Sequence, residues 1–285
     1  MLSYRHGFHA GNFVDVHKHI TLIMLLESLR KKETPFCYID THAGAGYYDL
    51  FSEFAQKNRE FETGIGILWG MSDVPAIVDR YLDAVRKFNL RFQAHAKQPH
   101  FYPGSPVIAR QLLRSQDRML LMELHNTEAP LLSEYFKNDK QVHIHHRDGF
   151  EALGGLVPPK EKRGLVLIDP AYEVRNEFER LTESVIEAWN KWPTGIYAIW
   201  YPLQKKQPIP KFQYDLRKAN IKKIFLHEFS VIPDTGPNRL GGTGMIIINP
   251  PWQFDDQIGE VIDWLALKLD RGSHTPARSE WLVTE

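Results

Sequence analysis

Four consecutive residues, Asp169-Pro170-Ala171-Tyr172, bring together a carboxylate, a proline carbonyl and an aromatic ring. An amino group attached to an aromatic base is a poor nucleophile, because its lone pair is delocalised into the ring. A side-chain oxygen of Asp169 and the carbonyl of Pro170 could each accept one of its hydrogens, favouring a pyramidal nitrogen. The same carboxylate could take the proton released on reaction. Its negative charge suits a site where positive charge develops. Tyr172 could stack on a base turned out of its helix. A second stretch, Asn249-Pro250-Pro251-Trp252, has a similar composition and competes for the role.

Asp169 closes the apolar run GLVLID (164–169), one of seven such runs. The others are FCYIDT (36–41), MLLMEL (119–124), VHIHH (142–146), IYAIWY (196–201), KIFLHEF (223–229) and GMIIIN (244–249). Continuous apolar runs suit strands buried on both faces of a parallel sheet. Amphipathic stretches at helical spacing separate them, so the expected fold is an α/β doubly wound, mostly parallel sheet of seven strands with helices on both faces. A helix over 14–32 precedes the first strand, with Val16, Ile20, Ile23, Leu26 and Leu29 as its apolar face. Residues 50–100 are too many for an ordinary loop, and they carry helical patterns of their own. They are expected to form a small helical insertion within a single domain spanning 1–285. Chain order separates the two candidate loops. Asp169 ends the fourth strand, whereas Asn249-Pro250-Pro251-Trp252 follows the last, where a strand terminus with a packing tryptophan is expected.

Three more strand ends carry suitable groups. The first strand runs into Asp40-Thr41-His42-Ala43-Gly44-Ala45-Gly46, a glycine-rich turn that lets backbone approach a cofactor. The second ends in Glu123, placed to accept both ribose hydroxyls of an adenosine-bearing cofactor. The third ends in Asp148-Gly149, where the carboxylate could receive an adenine amino group.

Composition narrows the partners. Lys+Arg and Asp+Glu both number 35, which argues against a broad binder of nucleic acid but allows a grip on one short site. One cysteine, Cys37, excludes a disulfide framework and fits a reducing compartment. No apolar run reaches the ~20 residues a membrane span needs, and the first residues do not read as a secretory signal. A cytoplasmic monomer away from membranes is expected. The 13 histidines include clusters at 6–19 and 143–146, but with no HExxH-like arrangement no metal site is expected. Carboxylates clustered for nuclease metals are not found. The nicotinamide fingerprint lacks its third glycine.

Asp169-Pro170-Ala171-Tyr172 resembles motif IV of adenine-N6 and cytosine-N4 amino-methyltransferases, an Asp/Asn/Ser-Pro-Pro followed by an aromatic. Ala171 replaces the usual second proline, which keeps the acceptor carbonyl but reduces loop rigidity. Together with YRHGFHAGN, DVHKH, DTHAGAG, YPGSP, RDGF and INPPW, in that order along the chain, it resembles the RlmJ family. Those are bacterial enzymes that form N6-methyladenosine in 23S ribosomal RNA. The resemblance implies a class I Rossmann-like methyltransferase fold with a helical insertion, S-adenosylmethionine as methyl donor, and 23S ribosomal RNA, naked or in early assembly, as partner. Carried over by position, His19, His42 and Ser105 would contact the methyl donor, Glu123 its ribose, and Asp148 and Gly149 its adenine. Asp169 would be catalytic, while Tyr4, His6 and Lys18 would face the RNA. Methylation of DNA, or a non-methylating role in the use of external DNA, remain the alternatives.

Overall fold

The computed structural model describes residues 4–93, 98–233 and 240–285. A 3-10 turn at His6–Phe8 is followed by α1 (Phe13–Arg30), β1 (Cys37–Asp40), β2 (Tyr47–Asp49), α2 (Glu53–Asn58), a second 3-10 turn at Glu60–Thr63, α3 (Ile65–Leu68), α4 (Ala76–Leu90) and β3 (Phe101–Pro103). The chain continues through α5 (Ser105–Leu112), β4 (Arg118–Met122), α6 (Glu128–Phe136), β5 (Val142–His145), α7 (Gly149–Leu156), β6 (Gly164–Ile168) and α8 (Glu177–Lys191). It ends with β7 (Ile196–Leu203), α9 (Ile209–Lys218), β8 (Ile224–Ser230), β9 (Gly242–Ile248), α10 (Phe254–Leu269) and β10 (Arg278–Val283).

The seven apolar runs are strands of one sheet, ordered β10-β8-β9-β7-β6-β1-β4-β5. Strands β5, β4, β1, β6 and β7 run parallel, and β9 is antiparallel to both of its neighbours, β7 and β8. The expected count of seven is one short. The eighth strand, β10, pairs antiparallel with β8. Its residues RSEWLV are mostly exposed or half-buried, so this edge strand lacks the apolar run that marks the others.

Alternation along β1 shows how the sheet divides the interior. Tyr38 joins the core beneath α1, α5 and α10, while Cys37 and Ile39 join the opposite core beneath α8. Successive side chains on a strand face opposite ways, and both faces here are covered.

Helix α1 is buried well beyond its predicted apolar face. Asn12 caps it, accepting from the Val14 and Asp15 amides at 2.9 and 3.1 Å, which satisfies two otherwise orphaned donors. Asp15, His17, Lys18 and His19 in its first half are also buried, and buried polar groups need partners. His17 finds Thr243 Oγ1 at 3.0 Å and His227 Nδ1 at 2.8 Å, tying α1 to β8 and β9. Burial, reinforced by their mutual contact, holds His17 well below the usual histidine range. Burial pushes His227 down to about 3.

Strands β2 and β3 pair antiparallel, and α2, α3 and α4 lie between them in the chain. Tyr81 on α4 hydrogen-bonds Tyr102 at 3.0 Å, and Tyr102 reaches His19 Nδ1 at 2.8 Å. This chain of contacts couples the inserted helices to α1. Among the described residues, no helix is long and apolar enough to cross a membrane.

Candidate active site

Strand β1 lies between β4 and β6, so the chain leaves it in one direction toward β5 and in the other toward β7. Open α/β sheets bind ligands at such a switch point, outside the carboxyl ends of the strands. A cavity opens there, about 940 Å³ counted with its mouth. Tyr4, His6, Lys18, His19, His42, Ser105, Glu123, Asp148, Gly149 and Asp169 all line it.

Each group arrives on a defined element. Glu123, just past β4, accepts the Gly44 amide at 2.7 Å and the His125 amide at 2.6 Å. Its carboxylate therefore braces the glycine turn while lining the cavity. Gly44 has φ +63°, and a Cβ there would stand 2.2 Å from the Tyr48 hydroxyl, so only glycine fits. Asp148 caps α7 through the Phe150 amide at 2.9 Å and pairs with Arg180 at 2.7 Å. Burial would raise its carboxyl, but Arg180 and the helix amides hold it below the ordinary value. A Cβ on Gly149 would lie 2.0 Å from the Thr41 carbonyl; the start of α7 thus packs directly on the turn after β1.

Ser105 stands first on α5 and donates its hydroxyl to Asp40 Oδ2 at 2.7 Å, an oxygen also reached by the Tyr38 hydroxyl at 2.6 Å. Burial pushes the Asp40 carboxyl up to about 6 against these donors. Burial likewise drives His42 down to about 4 and His19 down to about 3; both rings are neutral at physiological pH. His19 Nε2 is buried and has no hydrogen-bond partner. Glu128, first on α6, also lines the cavity. Burial first, then the nearby Glu123 charge, raises it to about 7.

A second cavity adjoins the first and shares Tyr4, His6, Lys18, Asp169 and Ala171 as its wall. Its other side is formed by Phe13, Tyr172, Trp200, Pro202, Gln204, Gln207 and Arg271, among others. Asp169 therefore faces two spaces at once. Lys18 Nζ bonds Asp169 Oδ2 and also lies 2.9 Å from Asp15 Oδ1. Burial would lower the Lys18 ammonium, but the two carboxylates raise it above its ordinary range.

Tyr172, expected to stack on a base, is anchored in place. It lines only the second cavity, its hydroxyl is donated to the Trp200 carbonyl, and its ring packs on Phe178 with centroids 4.4 Å apart. Its φ of 55° is strained for a bulky residue, and these contacts hold it there. The competing loop lies elsewhere. β9 runs opposite to β7, which puts Asn249-Pro250-Pro251-Trp252 at the far end of the sheet. Trp252 does not pack as expected; it is 87% exposed.

Sequence reasoning gave no role of their own to Asp15, Asp40 and Glu128, and Arg180 pairs with Asp148 at the cavity. Asp15 could have been found, since it lies three and four positions before Lys18 and His19 on one helical face. Glu128 carries no such signal.

A five-strand parallel core, a reversed strand inserted beside β7, and a cavity joining the glycine turn to an Asp-Pro loop define a class I methyltransferase. The family model described as "Ribosomal RNA large subunit methyltransferase D, RlmJ" matches residues 33–283. The chain is 42% identical over 285 residues, the whole of both proteins, to "Ribosomal RNA large subunit methyltransferase J" of Escherichia coli strain K12. It is 41% identical over the same full length to the protein of that name in Haemophilus influenzae. A crystal structure of protein LPL1258 from Legionella pneumophila superposes with a TM-score of 0.85 at 35% identity, covering 96% of this chain and 97% of that one. The chain belongs to the RlmJ family.

Proposed function

We propose that this protein transfers a methyl group from S-adenosylmethionine to N6 of an adenosine in 23S ribosomal RNA. The carrying observation is Asp169 standing in the shared wall of two cavities. One cavity suits the methyl donor and the other the target base. The donor's fit rests on the neutral, unpartnered Nε2 of His19, the amide-braced Glu123 and the glycine-floored turn at Gly44 and Gly149. Glu123 would hold its ribose, Asp148 and Gly149 its adenine, and His19, His42 and Ser105 the remainder. When bound, the donor supplies a methyl carbon on cationic sulfur, and the carbon–sulfur electron pair stays on sulfur as the new nitrogen–carbon bond forms.

The chain's own residues do the rest. Asp169 and the Pro170 carbonyl accept the two N6 hydrogens, aiming the nitrogen lone pair through the shared wall. The surplus proton on N6 leaves to the Asp169 carboxylate. Tyr4, His6 and Lys18 close the wall on the RNA side, and Trp200 with the anchored Tyr172 gives the base an aromatic floor. We read the chain as one methyltransferase domain, 50–100 being its helical insertion, acting as a monomer on RNA not yet packed in the ribosome.

Labelled S-adenosylmethionine with naked 23S ribosomal RNA, and with DNA, tests this. The expected outcome is label in N6-methyladenosine of the RNA, and a rate ~10²–10⁴-fold lower for Asp169→Ala with donor binding retained. Label in DNA alone, or an Asp169→Ala enzyme as fast as the parent, would refute it.

A further inference from the structure

Asp15 touches neither cavity, yet two residues of the shared wall, His6 and Lys18, rest on it. It is wholly buried in the first turn of α1. Its Oδ2 takes His6 Nε2 at 2.9 Å and the Gly11 amide at 2.8 Å. Its Oδ1 lies 2.9 Å from Lys18 Nζ and 3.9 Å from His19 Nε2. The Lys18 ammonium is nearly as buried, with 3% of its side chain exposed, and it is clasped by Asp15 on its own helix and Asp169 at the end of β6.

We propose that Asp15 is a positioning residue that lets Lys18 release Asp169 during the reaction while remaining charged. The inference rests on the reading of Asp169 as the acceptor for N6.

Lys18 holds Asp169 Oδ2, so an adenine amino group that takes this oxygen displaces the ammonium. A buried cation stripped of its counter-charge is costly, and with Asp169 as sole partner Lys18 would not let go. Asp15 supplies a second carboxylate, close enough for Lys18 to swing to without leaving its helix. The need deepens after methyl transfer. The proton that N6 sheds goes to the Asp169 carboxylate, which becomes a neutral acid. Asp15 is then the only carboxylate among those touching Lys18 that still carries charge. The ammonium stays protonated on Asp15, and its positive charge next to protonated Asp169 favours loss of that proton to water before the next turnover.

A double-mutant cycle of Asp15→Asn and Lys18→Met tests the assignment, with donor affinity measured by calorimetry and apo-protein melting beside it. Asp15→Asn should lower kcat roughly 10–100-fold at saturating donor and RNA, while the Kd for S-adenosylmethionine moves less than about threefold. In the Lys18→Met background the same substitution should lower kcat by less than about threefold further, because no ammonium is left to hold. The apo Asp15→Asn/Lys18→Met protein should melt above apo Asp15→Asn, whose ammonium has lost half its counter-charge. If Asp15→Asn itself does not fold, that gain in the double variant supports the proposal and its absence refutes it. Equal kcat losses in both backgrounds, or a donor Kd that worsens in step with kcat, would overturn it by showing that Asp15 merely braces the fold. A fully active Asp169→Ala enzyme would instead remove the reading of Asp169 on which the proposal stands.

Discussion

Replacing Glu123 by Gln is the sharpest test of the cofactor side of the site. Glu123 is 9% exposed, and its carboxylate takes backbone amides at 2.7 and 2.6 Å, one on each oxygen. A glutamine keeps shape and volume but turns one acceptor into a donor, so one of those amides faces an NH₂ group. Losing one hydrogen bond to a charged partner costs about 1.5–3 kcal/mol. Unfolding entropies near 2.1 cal/mol/K per residue make about 0.6 kcal/mol per degree for a chain of 285 residues. The apo protein should therefore melt about 3–5 °C lower. The ribose hydroxyls lose an anionic acceptor as well, which weakens S-adenosylmethionine roughly 10–100-fold. At a donor concentration a hundred times the parental Kd, ligand stabilises by about 2.7 kcal/mol. Weakening of that size removes half or more of the ligand-induced rise in melting temperature. Calorimetry gives the Kd and a thermal melt with and without donor gives the two shifts. A lower apo melting temperature with an unchanged Kd would refute the reasoning, since Glu123 would then be a turn brace with no role toward ribose.

Three further outcomes are expected. Gly149→Ala would drive a methyl group to 2.0 Å from the Thr41 carbonyl, so it should cost more than the ~1–3 kcal/mol of ordinary overpacking; a urea midpoint equal to the parent's would contradict this. Stability should fall as pH drops from 6 to 5. His17, His19, His42 and His227 are held down by burial, so below about 6.5 the unfolded chain binds protons there that the native state does not. Asp40 at about 6 and Glu128 at about 7 oppose this, because burial makes the native state keep their protons where the unfolded chain has released them. The balance is about two protons, or roughly 2–3 kcal/mol per pH unit, readable in urea titrations at a series of pH values; a flat profile would count against buried neutral imidazoles. Trp252→Ala should leave methyl transfer unchanged and stability within about 0.5 kcal/mol, and a large loss of rate would restore Asn249-Pro250-Pro251-Trp252 as a rival loop.

How much of this could be read without coordinates depended on how strongly burial marks the sequence. Strands such as GLVLID show continuous apolar runs because both sheet faces are covered, and each run became a strand. RSEWLV, half exposed at the edge, carries no such mark and was missed. Tyr47–Asp49 and Phe101–Pro103 are too short to show a period, so nothing announced that they pair at the root of the insertion. Helix α1 revealed its apolar face, while the burial of His17 and Lys18 on the other sides depends on partners far along the chain. At the site, strand-end carboxylates were legible by position. What Asp148 and Ser105 bond to was not, because Arg180 and Asp40 meet them only through the fold.

The long reach of α1 bears on how the chain is made. Lys18 finds Asp169 151 residues later, and His17 finds His227 and Thr243 210 and 226 residues later. At a synthesis rate of about 5–20 residues per second, this oily helix waits roughly ten to forty seconds after leaving the ribosome before the strands that enclose it exist. Nascent chains halted short of β9 leave the His17 side of this helix without its partners, although α4 and α5 can already pack against it. Residues made earliest are thus among the last to be sheltered, and the wall between the two cavities can close only once Asp169 and Ala171 have been made.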